Sequence, residues 1–302
     1  MTTNQTSTSG HDVATGPGDP FAGRLRRTSP GVAHFLATIT KVVLLAFVLG
    51  FFALPLLWLA TAPFNSAPTF KVSLPDWTLE NFRVLFGNPY ALRSLGNSVL
   101  LAFGVMLLVL VLGSLASYAL SRVRIPGRDA LLYSLLLLSS IVTGTAAMVP
   151  TFQLMNQLRL IDSSVGVVLV MSAGVMPTVI FILKDFMDSV PKSYEESARL
   201  AGAGPLRILW DVVVPIARPG LATIAVWAVV QVWGNFLVPY ILLRSPEKQP
   251  AAVVMYTFYT EGGQPNLALI STFSLMFSVP VIAMYFFVNR RYGFRFHGGI
   301  KS

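Results

Sequence analysis

The chain has 302 residues, 54% of them hydrophobic and only 12% charged, about half the charged fraction that covers a soluble domain, so lipid is the expected solvent. Its net charge of +9 does not imply nucleic acid, because the basic residues sit at the ends of long apolar blocks, where they set membrane topology. Cysteine is absent and the three histidines (His11, His34, His297) are scattered, which excludes disulfide scaffolds, thiolate metal sites and cysteine catalysis and speaks against a histidine metal site.

In chain order, residues 1–30 are rich in Ser, Thr, Gly, Asp and Pro and read as a disordered tail that ends in Arg24, Arg26 and Arg27. They lack the basic and apolar regions that open a cleaved signal peptide. Six apolar blocks follow, at about 42–62, 97–120, 130–150, 165–183, 219–243 and 267–288. Each is close to the roughly 20 residues that cross about 30 Å of hydrocarbon, and blocks this long satisfy their backbone groups in lipid as helices. Pro55 and Pro280 are expected to kink the first and last blocks, and Gly113 and Ser117 to form a small-residue packing pair in the second. The expected fold is all-α, an integral membrane bundle of six transmembrane helices over residues 31–302.

Sixteen of the 22 Lys and Arg residues fall on the side that holds the tail, the 2–3 loop, the 4–5 loop and the C-terminus; six (Lys71, Arg83, Arg93, Arg159, Arg244, Lys248) fall opposite. The excess places both termini in the cytoplasm.

The cytoplasmic loop 184–218 is helical in character. Pro191 sits where a helix can start, Glu195 and Glu196 near its positive end, and Tyr194, Ala198 and Ala201 on one face. Gly202 and Gly204–Pro205 interrupt it before a second stretch, Leu206 to Val213, and Pro215 and Pro219 punctuate the start of the fifth span. The expectation is a short bent helical pair continuous with the membrane helices on either side. Lys184, Asp185, Asp188 and Lys192 read as a solvated helix end.

Residues 196–219, ESARLAGAGPLRILWDVVVPIARP, resemble the cytoplasmic EAA loop of permease subunits of bacterial ABC importers. Glu196, Ala198, Gly202, Ala203, Leu209, Val212, Val214, Pro215 and Pro219 fall at matching positions, while Ser197 replaces an alanine and Ala201 an acid. TLENFRVLF (78–86), YALSR (118–122), residues 149–170, WGNF (233–236, where Gly234 departs from the pattern) and GGIKS (298–302) resemble carbohydrate importers, specifically the second permease subunit of maltose-type systems. The resemblance implies the type I ABC importer permease fold and partners in the form of a second permease subunit, an ATPase dimer and an extracytoplasmic solute-binding protein. It implies docking on the ATPase through Glu195, Glu196, Ser197, Ala198, Leu200, Ala201, Gly202, Ala203, Pro205, Leu209 and Pro215, and a tail, Gly298, Gly299, Ile300, Lys301 and Ser302, that runs along the ATPase interface. Residues 63–94 would meet the binding protein, with Trp77 and Phe82 as anchors.

No GxxxxGK[ST] occurs, so ATP and Mg would be bound by the partner ATPase and this chain would hold no cofactor and catalyse nothing alone. The solute path is expected from polar and aromatic groups at or within spans: Asn97, Ser98, Gln231, Trp233, Asn235 and Tyr240, with neutral amides suited to an uncharged, hydroxyl-rich solute. Gln231 and Asn235 share a helix face and equally suit hydrogen bonds between helices. A sugar-like solute leads, with glycerol-phosphate or another polyol as the alternative. A nucleotide-independent secondary transporter would call for a charge or broken helix near mid-span, and an intramembrane enzyme for a catalytic set within the spans; neither is legible.

Overall fold

The computed structural model describes residues 30–123, 126–142, 145–260 and 265–292. The N-terminal tail and the tail residues Gly298, Gly299, Ile300, Lys301 and Ser302 lie outside them. Among the described residues the regular structure is helical, with no strand. The chain divides into two units, Met1–Leu54 and Pro55–Ser302. In the first, the described residues belong to helix α1 (Pro30–Thr61), whose side chains from Val42 onward are almost uniformly exposed, as suits a helix surrounded by lipid. It starts well before the block expected at about 42, because nothing between Gly31 and Lys41 stops a helix.

The second unit is built on two long helices, α3 (Ala91–Arg122) and α6 (Ser164–Asp188). They run parallel and close: a methyl group on Gly104 would lie 3.1 Å from a Val168 methyl, and one on Gly113 only 2.6 Å from a Val179 methyl. Gly113 is therefore the packing residue its spacing suggests, and Ser117 is fully buried beside it. Leu101, Ala102, Val105 and Val109 of α3 and Val167, Met171, Val179 and Leu183 of α6 form the core with Ile224, Ala228 and Val232 of α10 (Arg218–Trp233). A second cluster joins α2 (Glu80–Gly87) to α12 (Ala251–Thr260) and α13 (Leu267–Tyr292) through Leu85, Val254, Phe258, Ile270 and Phe273.

The third and fifth apolar blocks differ from the unbroken spans expected of them. The third is split between α4 (Arg128–Val142), a 3₁₀ turn at Thr145–Ala147, and α5 (Met148–Gln157). Fifteen residues of α4 reach only about 22 Å at 1.5 Å per residue. The fifth block stops at Trp233 and resumes in α11 (Leu237–Leu242). Gly234 favours the break, and Asn235 Oδ1 accepts the Val238 N–H at 3.2 Å, supplying the partner that a new helix needs at its start. Among the described residues, four helices, Ala37–Phe64, Ala91–Arg122, Ser164–Asp188 and Leu267–Phe287, are long and apolar enough to cross a membrane, or five if a pair bent by 83° at Ala217 counts as one.

Candidate functional site

Two places collect the functional candidates. The first is the bent segment after α6. Pro191, extended, precedes α7 (Lys192–Leu200). At its far end Ala203 N–H donates to Ala198 C=O at 3.0 Å and Gly202 N–H to Arg199 C=O at 2.9 Å. Together with Gly202 at φ +85° this is a Schellman turn, and it fixes the corner the two glycines suggested. Helix α8 (Pro205–Ile208) follows, then one π turn, Leu209–Val213, and α9 (Val214–Ile216). Pro215 has no N–H and its ring crowds the carbonyl four residues back, so a widened turn relieves the clash.

The segment has two faces. Outward lie Tyr194, Glu196, Ser197, Ala201, Pro205 and Leu206, with Leu200 left 91% exposed at the corner. Inward, Ile208, Leu209, Val213 and Ala217 pack on Met187 and Val190, with Ala198 and Ala203 against them. Leu209 is thus part of the core beneath the segment, not of its exposed face; Pro215 is half-buried.

Glu195 is also turned inward, its side chain only 2% exposed. Its Oε1 accepts Arg122 Nε at 2.6 Å and its Oε2 accepts the Tyr118 hydroxyl at 3.1 Å. Arg122 Nη2 also donates to the carbonyls of Met187 (3.0 Å) and Val190 (3.4 Å). Next to this pair, Ser121 donates to Asp188, whose other oxygen pairs with Lys184 at 2.9 Å. Lys184 is buried, so what read as a solvated helix end is, at Lys184 and Asp188, a seam between α6 and α3; Asp185 and Lys192 remain exposed as expected. In the sequence Tyr118, Ser121 and Arg122 stand within YALSR (118–122), which carries the resemblance but assigns them no role. The available signal was their i, i+3, i+4 spacing, which puts three polar groups on one face at the end of an apolar span.

The second place is a cavity of about 770 Å³ lined from α4, α5, α6, α10 and α11. Its walls are mostly apolar, with Met148, Met155, Met171 and Trp227, and its polar groups are neutral: Ser139, Thr151, Thr178, Gln231 and Asn235. Gln231 has no hydrogen-bond partner among the described residues, and Asn235 uses its carbonyl oxygen on the start of α11. The cavity thus brings the two amides together on one wall.

The other expected path residues stand elsewhere. Asn97 donates to the carbonyls of Glu247 (2.9 Å) and Gln249 (3.0 Å), and buried Ser98 accepts Ala251 N–H at 2.9 Å. Both pin the chain before α12 onto α3 and line no part of the cavity, because their polar groups are taken up by backbone. Trp233 donates to Phe277 C=O at 3.0 Å and packs on that ring. Tyr240, outside the cavity lining, stacks on Phe236 with ring centroids 4.8 Å apart and meets Tyr256 edge-on. Trp77 is 77% exposed, held at φ +57°, and Phe82 packs on Phe64.

At the opposite end of α6 from Glu195, Asp162 ties the chain together. Its carboxylate accepts the N–H groups of Arg244 and Ser245 (3.0 Å each), the Ser245 hydroxyl (2.6 Å) and Lys248 Nζ (2.8 Å). Lys248 above all, then Ser245, holds this carboxyl far below the usual carboxylate range.

Residues 32–294 match the family described as the binding-protein-dependent transport system inner membrane component. The maltodextrin transport system permease protein MdxG of Bacillus subtilis is 31% identical over 242 residues, covering 79% of this chain and 86% of its own length. The diacetylchitobiose uptake system permease protein NgcG of Streptomyces coelicolor is 29% identical over 226 residues, with 74% and 72% covered. A chain in the crystal structure of a bacterial ABC transporter involved in the import of the acidic polysaccharide alginate superimposes on 91% of this chain and 100% of its own, with a TM-score of 0.72 at 23% identity, and so shares the fold.

Proposed function

This chain belongs to the family of binding-protein-dependent transport system inner membrane components, and on that premise we propose that it is the transmembrane subunit of an ATP-driven importer for a sugar or sugar-like solute. The observation that carries this reading is the bent segment Lys192–Ile216: an exposed corner, Glu196 to Leu206, on a base packed against the ends of α3 and α6. A stiff, exposed corner joined directly to two long helices can pass on a push, which a flexible loop would dissipate. A separate ATPase dimer, carrying ATP and Mg, docks there, with Glu196, Ser197, Ala201, Gly202 and Pro205 on the exposed side.

Six crossings of the cytoplasmic membrane complete the fold, with α4–α5 and α10–α11 each counted as one broken crossing and both termini in the cytoplasm, following the Lys and Arg distribution. A second permease subunit closes the path on the side of the cavity, and an extracytoplasmic binding protein delivers the solute. The sugar assignment draws on the named substrates of the relatives and on the cavity's neutral amides and hydroxyls, which match hydroxyl groups. The described lining holds no Lys or Arg to meet a phosphate, which favours a sugar or neutral polyol over glycerol-phosphate.

Co-purification of the tagged chain from its native membrane, followed by mass spectrometry and transport in proteoliposomes, tests this. An ATPase, a second permease and solute uptake that requires ATP are the expected results. A chain that purifies alone and carries solute without nucleotide is a secondary transporter, and the reading fails.

A further inference from the structure

The coupling reading leaves open which side chains join the docking corner to the membrane helices. Arg122 stands where three elements meet. It is the last residue of α3, its guanidinium reaches the carbonyls of Met187 and Val190 at the end of α6, and the same group grips Glu195 in the first turn of α7. The Arg122 side chain is 11% exposed and that of Glu195 2%. Tyr118, one turn back on α3, takes the second carboxylate oxygen, and its ring lies 5.7 Å from the guanidinium carbon. Arg199, on the outer side of α7, reaches the same oxygen at 3.8 Å.

A buried ion pair is a poor way to gain net stability, since desolvating two charges offsets most of their attraction. What a guanidinium supplies is direction: a planar fork holds its partners at fixed angles, where apolar contacts allow sliding. The rest of the cluster beneath α7 is apolar, with the small side chains of Ala198 on α7 and Ala203 just after it packed among Met187, Val190 and Leu209. Those surfaces position α7 but resist little shear.

We propose that Arg122 and Glu195 form the joint through which a displacement of the docking corner reaches α3 and α6 together, so that Arg122 is a positioning residue for coupling and not part of the docking face. The inference rests on the coupling function proposed above. Pushed at Leu200–Leu206, α7 carries Glu195, Glu195 carries Arg122, and Arg122 moves both helix ends as one body.

The experiment is the ATP hydrolysed per solute imported by the complete transporter, with its ATPase and binding protein, in proteoliposomes. Arg122→Ala is expected to keep ATP hydrolysis within about twofold of wild type while import falls about tenfold, a loss within the range of measured coupling energies. Glu195→Gln, which keeps the shape and one acceptor, is expected to raise the ratio about threefold, and the swapped pair Arg122→Glu with Glu195→Arg to recover part of the loss. If Arg122→Ala does not assemble, Glu195→Gln decides. An unchanged ratio, with import and hydrolysis both intact or both reduced in proportion, overturns the joint. Failure of the coupling reading looks different: the wild-type chain then binds no ATPase, or imports without nucleotide.

Discussion

The helices of this protein are of two kinds. Helices α3 and α6 run unbroken for 32 and 25 residues and meet along a seam of small residues. Helices α4–α5 and α10–α11 cover comparable stretches but stop part-way, and the cavity lies between them and one face of α6. Continuity suits the pair packed beneath the exposed corner, because a helix with no break passes a displacement along its length, even where Pro177 leaves one rung of the α6 ladder without a donor. Interruption suits the cavity, because a break in lipid is tolerated only where protein or a polar path satisfies the freed backbone. The α3–α6 seam is carried by Gly104 and Gly113, while the amides of Gln231 and Asn235 stand at the break in the second kind.

That contrast can be broken first at the seam. Gly113→Leu puts its first side-chain carbon 2.6 Å from Val179 and 3.5 Å from Leu183, so it is expected to destabilise the protein by about 1–3 kcal/mol. Thermal unfolding in detergent measures this, and an unchanged midpoint would mean that α3 and α6 are not in close contact. Gly202→Ala acts at the corner, where space is free but φ is +85°, so the cost is the strain of a left-handed residue, about 1 kcal/mol. The loss should appear as earlier proteolysis of the corner, with the seam intact.

Asp162 offers a smaller, pH-dependent effect. Its folded-state pKa is depressed, so the stability it contributes is present above the ordinary carboxylate value of about 4 and is lost as pH falls below that. Melting curves of wild type and Asp162→Asn should therefore differ most at neutral pH, and the gap should narrow steadily as pH falls below about 4. A gap that widens on acidification would contradict the ties to Lys248 and Ser245. The smallest effect on folding belongs to Gln231→Ala, on the cavity wall, which should leave stability within about 0.5 kcal/mol of wild type while raising the KM for solute. If the melting point drops and KM does not move, Gln231 holds helices together and the cavity is no solute path.

Much of the fold was legible because hydropathy blocks report lipid contact directly. The corner was legible because Gly202 and Gly204 permit backbone conformations that other residues avoid, while Pro205 and Pro215 fix φ and remove a donor. The two interruptions were not, because a block such as 219–243 stays apolar across its break, and Gly234 and Asn235 fit a continuous span as readily as a broken one. Asn97, Ser98 and Trp233 look like solute ligands in a one-dimensional reading. What makes them anchors is the presence of Glu247, Gln249, Ala251 and Phe277, residues 44 to 153 positions away. Glu195 was read as outward for the same reason: its partner Arg122 lies 73 residues earlier.

The tie at Asp162 has a consequence for how the protein is made. Lys248 stands 86 residues after Asp162. At about 5–20 residues per second the ribosome delivers it several seconds later. Throughout that interval the head of α6 carries a carboxylate with none of its final donors, exposed to water or lipid headgroups. The start of α6 can therefore be fastened only once the chain through Ser245 and Lys248 has emerged, so the last third of the protein supplies the tie that the middle third lacks.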